Sequence, residues 1–138
     1  MRYTINADGG ARGNPGPAGA GAVVKDERGR IVASISEFLG HATNNVAEYT
    51  ALVSAFDALL AELQDAAKHA DVAVFMDSKL VIEQMKGAWK VRHPNMKPLQ
   101  ARAAESARAF KSVSFMHIPR ERNAEADALA NEAMDRGS

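Results

Sequence analysis

The stretch RYTINADGGARGNPGPAGAGAVVKDERGRIVASISEFL, residues 2–39, decides the first half of the fold because polar and apolar positions alternate along it in three runs. A period of two is typical of half-buried strands, so we predict strands at about 2–8, 20–26 and 31–39. The links between them are short, and the Pro-Gly pair at 15–16 suits the centre of a type II turn. Three strands on short links predict an antiparallel meander.

Beyond residue 43 the apolar period lengthens to three or four, which predicts helices alternating with short strands. The expected helices are at about 43–63, 78–87, 99–110 and 123–134, and the expected strands are at 72–76 and 113–118. This order indicates an α/β protein in which a five-stranded mixed sheet is flanked by helices. The later strands are expected to run parallel through right-handed crossovers, and residues 1–138 are expected to form one domain.

Composition excludes several classes of site. The 138-residue chain contains no cysteine, so a disulfide framework, a thiolate nucleophile and a cysteine-type zinc site are ruled out. No apolar run approaches the roughly 18 residues that a membrane span requires. We therefore expect a soluble monomer in the cytoplasm.

The formal net charge of zero conceals an uneven distribution. Residues 78–122 contain ten Lys or Arg against three Glu, so this segment is strongly basic and the remainder is equally acidic. A basic segment beside an acidic site suits a polyanion that is held in one place and cut in another. A basic helical face exposed to solvent would explain the same counts.

Four acidic residues stand where a strand or helix pattern favours a neutral side chain: Asp8, Glu48, Asp77 and Asp127. The predicted topology brings all four to one edge of the sheet. Each has an ordinary explanation when taken alone; Asp127, for example, lies in the first turn of a helix, where the dipole favours negative charge.

Clustered carboxylates favour a divalent metal site. Two carboxylates about 5 Å apart repel by roughly 3 kcal/mol at an effective dielectric constant near 20, so four would not stay ionised together without cations. Oxygen ligands without cysteine or paired histidine favour Mg²⁺ or Mn²⁺ over zinc. Two such ions are what phosphodiester hydrolysis requires.

Four segments carry a family resemblance: DGGARGNPG (8–16), TNNVAEYTAL (43–52), DSKLVIEQM (77–85) and HIPRERNAEADALAN (117–131). In order and spacing they resemble the signature blocks of the type 1 ribonucleases H, which cleave the RNA strand of RNA·DNA hybrids. The resemblance implies the ribonuclease H-like fold and a site for two Mg²⁺ ions, with Mn²⁺ as a substitute, held by the four carboxylates. It also implies endonucleolytic products with 5′-phosphate and 3′-hydroxyl ends, and a role in removing RNA primers and R-loops.

The resemblance further implies substrate contacts in three of the blocks and in the loop after the third. They are Gly9, Gly10 and Asn14 near the RNA 2′-hydroxyls, Thr43 and Asn95 at a DNA phosphate, Asn44 and Asn45 near the minor groove, and Lys79 facing the RNA. Structural roles compete with these: the glycines also suit a tight hairpin, and the residues at 43–45 also suit a helix cap.

The chain lacks two features of many family members and resembles the compact branch without them. Only residues 87–98 fill the place of a long basic protrusion, and no histidine loop precedes the last helix. Arg120 is a candidate auxiliary residue in place of that histidine. His117 is expected to pack within its strand rather than to shuttle protons, and Trp89 suits the core, packing against a helix, or a contact with a sugar.

Two alternatives to a ribonuclease H remain at this level. A catalytically silent nucleic-acid-binding module could have the same fold, although four carboxylates without metal would repel a phosphate backbone. A related nuclease could act on DNA, although a glycine-rich reader of 2′-hydroxyls would then have no purpose.

Overall fold

The computed structural model describes residues 1–138 and confirms the five-stranded mixed sheet, with strand order β3-β2-β1-β4-β5. The meander β1-β2-β3 is antiparallel, and β4 and β5 run parallel to β1. The strands are β1 (Arg2–Ala11), β2 (Gly16–Asp26), β3 (Ile31–Ala42), β4 (Asp71–Met76) and β5 (Ser112–His117). The helices are α1 (Asn44–Leu63), α2 (Lys79–Met85), α3 (Lys97–Ala107) and α4 (Ala124–Arg136), with short 3-10 turns at Gln64–His69 and Arg120–Arg122.

The glycine-rich stretch after Asp8 is a strand rather than the loop that the sequence indicated. Gly9 pairs with Ala20 and Gly10 with Gly19, so the hairpin of β1 and β2 continues to residues 11 and 16. The predicted type II turn at 15–16 is wrong, because the residue with left-handed backbone is Gly13, with φ of 85°. The Asn14–Pro15 peptide bond is cis.

Helix α1 buries its apolar stripe on one face of the sheet and forms the main core. Tyr49, Leu52, Phe56 and Leu59 are completely buried against sheet residues such as Ile5. Phe56 also meets Phe110 with ring centroids 5.7 Å apart. None of the helices is both long and apolar enough to cross a bilayer.

Helix α4 covers the opposite face of β1, β2 and β3 through small residues on both sides. Ala126, Ala130 and Ala133 are buried on the helix, and Gly19 and Gly21 lie beneath them on β2. A β-carbon added at Gly21 would stand 2.2 Å from the carbonyl oxygen of Ala126. The backbones of helix and strand are therefore in direct contact, which sets the position of the first turn of α4.

We predict that Gly21→Ala destabilises the protein by about 1–3 kcal/mol, because α4 must move away from β2 to admit the new methyl group. Urea unfolding should show a lower midpoint at an unchanged slope. Gly10→Ala is the matched control: its added carbon would meet only the Met134 side chain, at 3.6 Å. It should change the stability by less than about 1 kcal/mol. Equal midpoints for the two variants would contradict this account of the interface.

Candidate active site

The four predicted carboxylates lie in one open cleft of about 610 Å³. Asp8 is in β1, Asp77 directly follows β4, Glu48 is in the first half of α1, and Asp127 is in the first turn of α4. The parallel pairing of β1 with β4 accounts for the approach of Asp8 and Asp77. Asn6 pairs with Phe75. If this register is continued by two residues, Asp8 is level with Asp77.

Burial and mutual repulsion hold protons on two of these groups. Burial, followed by the charges of Asp77 and Asp127, raises the pKa of Asp8 from 3.8 to about 8. Burial raises the pKa of Glu48 from 4.5 to about 7, with a further contribution from Asp77. Asp127 also lies within hydrogen-bonding reach of Asp8. The cluster therefore binds protons at a pH where isolated carboxylates would be ionised.

Ser78 connects two of the elements that build the site. Its hydroxyl accepts a hydrogen bond from the backbone N–H of Val81, 3.3 Å away, and so caps α2. The same hydroxyl hydrogen-bonds Glu48, which lowers the pKa of that carboxyl and partly offsets the effect of burial. The start of α2 and the carboxylate of α1 are thereby joined beside Asp77.

The donor chemistry of the cleft fits divalent cations. All four candidate ligands supply carboxylate oxygens, the donors that Mg²⁺ and Mn²⁺ prefer. The pKa values of Asp8 and Glu48 are raised by burial and by neighbouring acids, so nearby positive charge would favour the ionised cluster. No three of the side chains converge tightly enough to form a ready ligand set, as like charges oppose closer approach. The residues fit such ions in charge and donor type.

Arg120 is the positive group beside the cluster. Its Nη2 lies 3.6 Å from Oδ1 of Asp127, and its side chain is 76% exposed. The arginine therefore reaches the edge of the cleft from the 3-10 turn before α4. It stands in the region where the sequence predicted an auxiliary residue.

The predicted substrate-binding residues divide between two neighbouring surfaces. Those in the carboxylate cleft are Gly9, Gly10, Asn44, Asn45 and Lys79. Thr43 and Asn95 line a separate cavity, together with Pro15 and His41. Asn14 lines neither surface, but its side chain accepts a hydrogen bond from the backbone N–H of Asn44 at 3.0 Å.

The competing structural roles of the residues at 43–45 are present in the structure. The Thr43 hydroxyl accepts from the backbone N–H of Val46 at 3.2 Å and caps α1. The Asn44 side chain accepts from the backbone N–H of Ala11 at 2.7 Å. The glycine-rich hairpin is therefore held against the start of α1. Of residues 43–45, only Asn45 makes no side-chain hydrogen bond within the protein.

Two aromatic side chains near the cleft lie at the surface. Trp89 is 45% exposed, so the core alternative is wrong, and the Nζ atom of Lys79 lies 5.9 Å from the centre of its ring. His117 was expected to pack within its strand, but it is exposed at the end of edge strand β5. Its Nε2 lies 3.3 Å from the backbone oxygen of Asp77.

Asn123 is not among the site residues predicted from the sequence, where it stands only as the start of the last helix. In the structure this side chain is buried and donates a hydrogen bond to Oδ1 of Asp77 at 2.8 Å. The signal in the sequence was an asparagine four residues before Asp127. That pattern is also typical of an ordinary helix cap, which is why it attracted no functional interpretation.

Comparison with known proteins places this geometry in context. The reverse transcriptase-like family model matches residues 6–133. The bifunctional protein Rv2228c of Mycobacterium tuberculosis is 48% identical over 98% of this chain and 36% of its own length. The solved N-terminal RNase H domain of that protein has 47% identity and a TM-score of 0.90, covering 98% of this chain and 100% of the other.

Two further proteins are similar over most of the chain. Ribonuclease HI of Halobacterium salinarum is 45% identical over 93% of this chain and 62% of its own length. LC11-RNase H1, isolated from compost and solved in complex with an RNA/DNA hybrid, has 45% identity and a TM-score of 0.90, covering 97% of each chain. The solved structures confirm the predicted fold. This chain spans about a third of the length of the mycobacterial relative.

We predict that in the presence of chelator the protein becomes less stable as pH rises. The pKa of Asp8 is higher in the folded state, so folding takes up a proton between pH 3.8 and about 8. The protonated Asp8 therefore contributes to stability at low pH, and this contribution is lost as the pH rises from 3.8 to about 8. Mg²⁺ binds the ionised form, so its stabilising effect should grow over the same range. Thermal unfolding at about pH 5 and pH 8.5, with chelator and with Mg²⁺, measures both effects.

The variant Asp8→Asn isolates the contribution of this carboxyl, because the amide has no proton to lose in this range. In chelator its unfolding midpoint should fall less with pH than that of the wild type. An identical pH dependence for both proteins would show that Asp8 does not hold a proton in the folded state.

Proposed function

Because the chain belongs to the type 1 ribonuclease H family, we propose that it hydrolyses the RNA strand of RNA·DNA hybrids as a metal-dependent endonuclease. The observation that carries the proposal is the meeting of Asp8, Glu48, Asp77 and Asp127, from four separate elements, in one cleft with the glycine-rich strand. The similarity of LC11-RNase H1, which was solved with an RNA/DNA hybrid, supports the choice of substrate.

The four carboxylates would hold two Mg²⁺ ions, with Mn²⁺ as a substitute. Such ions, when bound, supply activation of the attacking water and neutralise charge on the leaving oxygen, and hydrolysis in this manner yields 5′-phosphate and 3′-hydroxyl ends. Asp77 and Asp127 lie close enough to Asp8 to raise its pKa, so these three carboxylates would hold the ions together. The protein's own contribution is to keep these oxygens close together and partly shielded from water.

The RNA strand is proposed to lie along the glycine-rich side of the cleft. Gly9 and Gly10 have no side chains to hold a ribose away, so their backbone can approach the 2′-hydroxyls that distinguish RNA from DNA. Asn14, Asn44 and Asn45 offer amide groups at the same edge. The side-chain oxygen of Asn14 accepts a hydrogen bond from the backbone of Asn44, which links the hairpin to the start of α1 at this edge.

The DNA strand is proposed to lie on the other side of α1. Thr43 and Asn95 line a cavity of suitable chemistry for one phosphate, with a hydroxyl and an amide as hydrogen-bond donors. In the carboxylate cleft, Lys79 is proposed to face the RNA, and the exposed Trp89 beside it adds an aromatic surface, a combination that favours a nucleic-acid strand. Contacts to two strands on separate surfaces favour a hybrid duplex over a single strand.

The short segment between α2 and α3 bears on affinity. Binding should depend on salt, because residues 78–122 concentrate the positive charge, and it should be weak, because no long basic protrusion adds further contacts. We propose removal of RNA primers and R-loops as the role, and a cytoplasmic monomer as the acting species.

We predict that Asp8→Asn and Asp77→Asn each lower cleavage of an RNA·DNA hybrid by at least about a hundredfold, in line with the loss of one electrostatic group from an active site. Hybrid binding should persist, since the substrate contacts lie elsewhere in the cleft. Asp57→Asn is the matched control, because Asp57 is a carboxylate of α1 that pairs with Arg102 away from the cleft. Gel assays with labelled substrate measure cleavage, and filter binding measures affinity.

The same assay separates the alternatives if RNA·DNA, RNA·RNA and DNA·DNA duplexes are each tested with Mg²⁺ and with chelator. The wild type is expected to cut the RNA·DNA hybrid efficiently, and only with the metal. Binding without cleavage would identify a silent module, and preferential cleavage of DNA would identify a different nuclease.

We predict that Arg120→Ala lowers the turnover number by about tenfold, equivalent to about 1.4 kcal/mol, because it removes the cation nearest the cluster. Arg122→Ala is the matched control from the same 3-10 turn, where the structure has no ion pair at residue 122. Steady-state kinetics under saturating substrate compares the two. Equal effects would assign the loss to general charge rather than to a role of Arg120 at Asp127.

A further inference from the structure

Asn123 occupies the position of a helix cap without serving as one. It precedes α4, and asparagine there ordinarily accepts a hydrogen bond from the first turn of the helix. Its side chain makes no such bond. Instead it is turned inward, and the residue is only 1% exposed.

The buried amide uses its donors and its acceptor on three different groups. Its Nδ2 donates to the backbone oxygen of Ala7 at 2.9 Å and to Oδ1 of Asp77 at 2.8 Å. Its Oδ1 accepts from Nδ2 of Asn6 at 3.2 Å. This set of partners determines the orientation of the amide, since the reverse orientation would turn its oxygen toward a carbonyl and a carboxylate.

The backbone of Asn123 joins a third element to this network. Its carbonyl oxygen accepts a hydrogen bond from the backbone N–H of Asp127 at 3.0 Å. Asn123 therefore contacts the side chain of Asp77, the backbone of Ala7 immediately before Asp8, and the backbone of Asp127. Three of the four carboxylates are tied to it within one bond or one residue.

We propose that Asn123 is a positioning residue, which holds the Asp77 carboxylate and aligns β1, β4 and α4 for binding of divalent cations. The inference rests on the proposed function. A neutral amide suits this role because it satisfies one oxygen of Asp77 without cancelling its charge. An arginine or lysine in its place would compete with the cation for the carboxylate. Hydrogen-bonding partners of metal ligands commonly fix ligand orientation in this way.

A packing role alone makes a different prediction. If Asn123 only begins α4 and fills the junction of β1 and β4, any side chain that caps the helix should preserve the site. Serine is such a side chain, but its hydroxyl is too short to reach both Ala7 and Asp77. Asn123→Ser therefore separates positioning from capping.

The experiment measures Mg²⁺ affinity by isothermal titration calorimetry on the wild type and on Asn123→Ser, Asn123→Ala and Asn6→Ala. Cleavage of the RNA·DNA hybrid is measured in parallel, at a temperature where circular dichroism shows each variant folded. The control Asn6→Ala removes a bond to the same amide but leaves its donation to Asp77 in place. If a position-123 variant does not fold without metal, the rise of the unfolding midpoint with Mg²⁺ concentration gives its affinity instead.

Both variants at position 123 are expected to bind Mg²⁺ about 10–100-fold more weakly than the wild type, the usual effect of losing a ligand's hydrogen-bond partner. Asn6→Ala should remain within about threefold of the wild type, although it loses stability. Wild-type affinity in Asn123→Ser would overturn the positioning role, as would an equal loss of affinity in Asn6→Ala. Failure of the wild type to cut the hybrid would instead refute the proposed nuclease.

Discussion

Repulsion among four carboxylates in one partly buried cleft is the constraint on which the rest of the structure depends. The pKa values of Asp8 and Glu48 lie well above their ordinary range because both side chains are partly removed from water and other acids lie near. Such a cluster costs stability in the absence of positive charge. A cluster that costs stability points to a functional rather than a structural role, and the divalent cations proposed to bind there would turn the same repulsion into affinity.

The scaffold resists this repulsion by bringing backbones very close together. Gly9 lets β1 lie against the backbone of α1 at Ala47, and Gly21 does the same for β2 and α4 at Ala126. The two helices that carry Glu48 and Asp127 thus have little freedom to move away from the sheet. Ser78 and Asn123 then hold individual carboxylates by hydrogen bonds. The close packing of helices on the sheet therefore fixes both the fold and the geometry of the site.

Two surfaces carry the groups proposed for recognition. In the cleft a glycine-rich strand exposes backbone beside the Lys79–Trp89 pair, and Thr43 and Asn95 offer polar groups in a separate cavity. The connector that bears Trp89 is short, but it is anchored: the buried side chain of Gln84 donates to the backbone oxygen of Lys90 at 3.1 Å and accepts from the Tyr49 hydroxyl at 2.6 Å. A compact chain can therefore present an aromatic surface without a long protrusion.

The sequence by itself determined the order and type of the elements, the mixed sheet and the four acidic positions, because hydrophobic period and misplaced charge are local signals. It did not determine that the glycines after Asp8 pair as a strand, that His117 is exposed at a sheet edge, or that Asn123 turns away from its helix to hold Asp77. Those outcomes depend on which backbones lie next to each other, and only the packed sheet and helices decide that. A residue such as Asn123 has the same local pattern whether it caps a helix or orients a carboxylate.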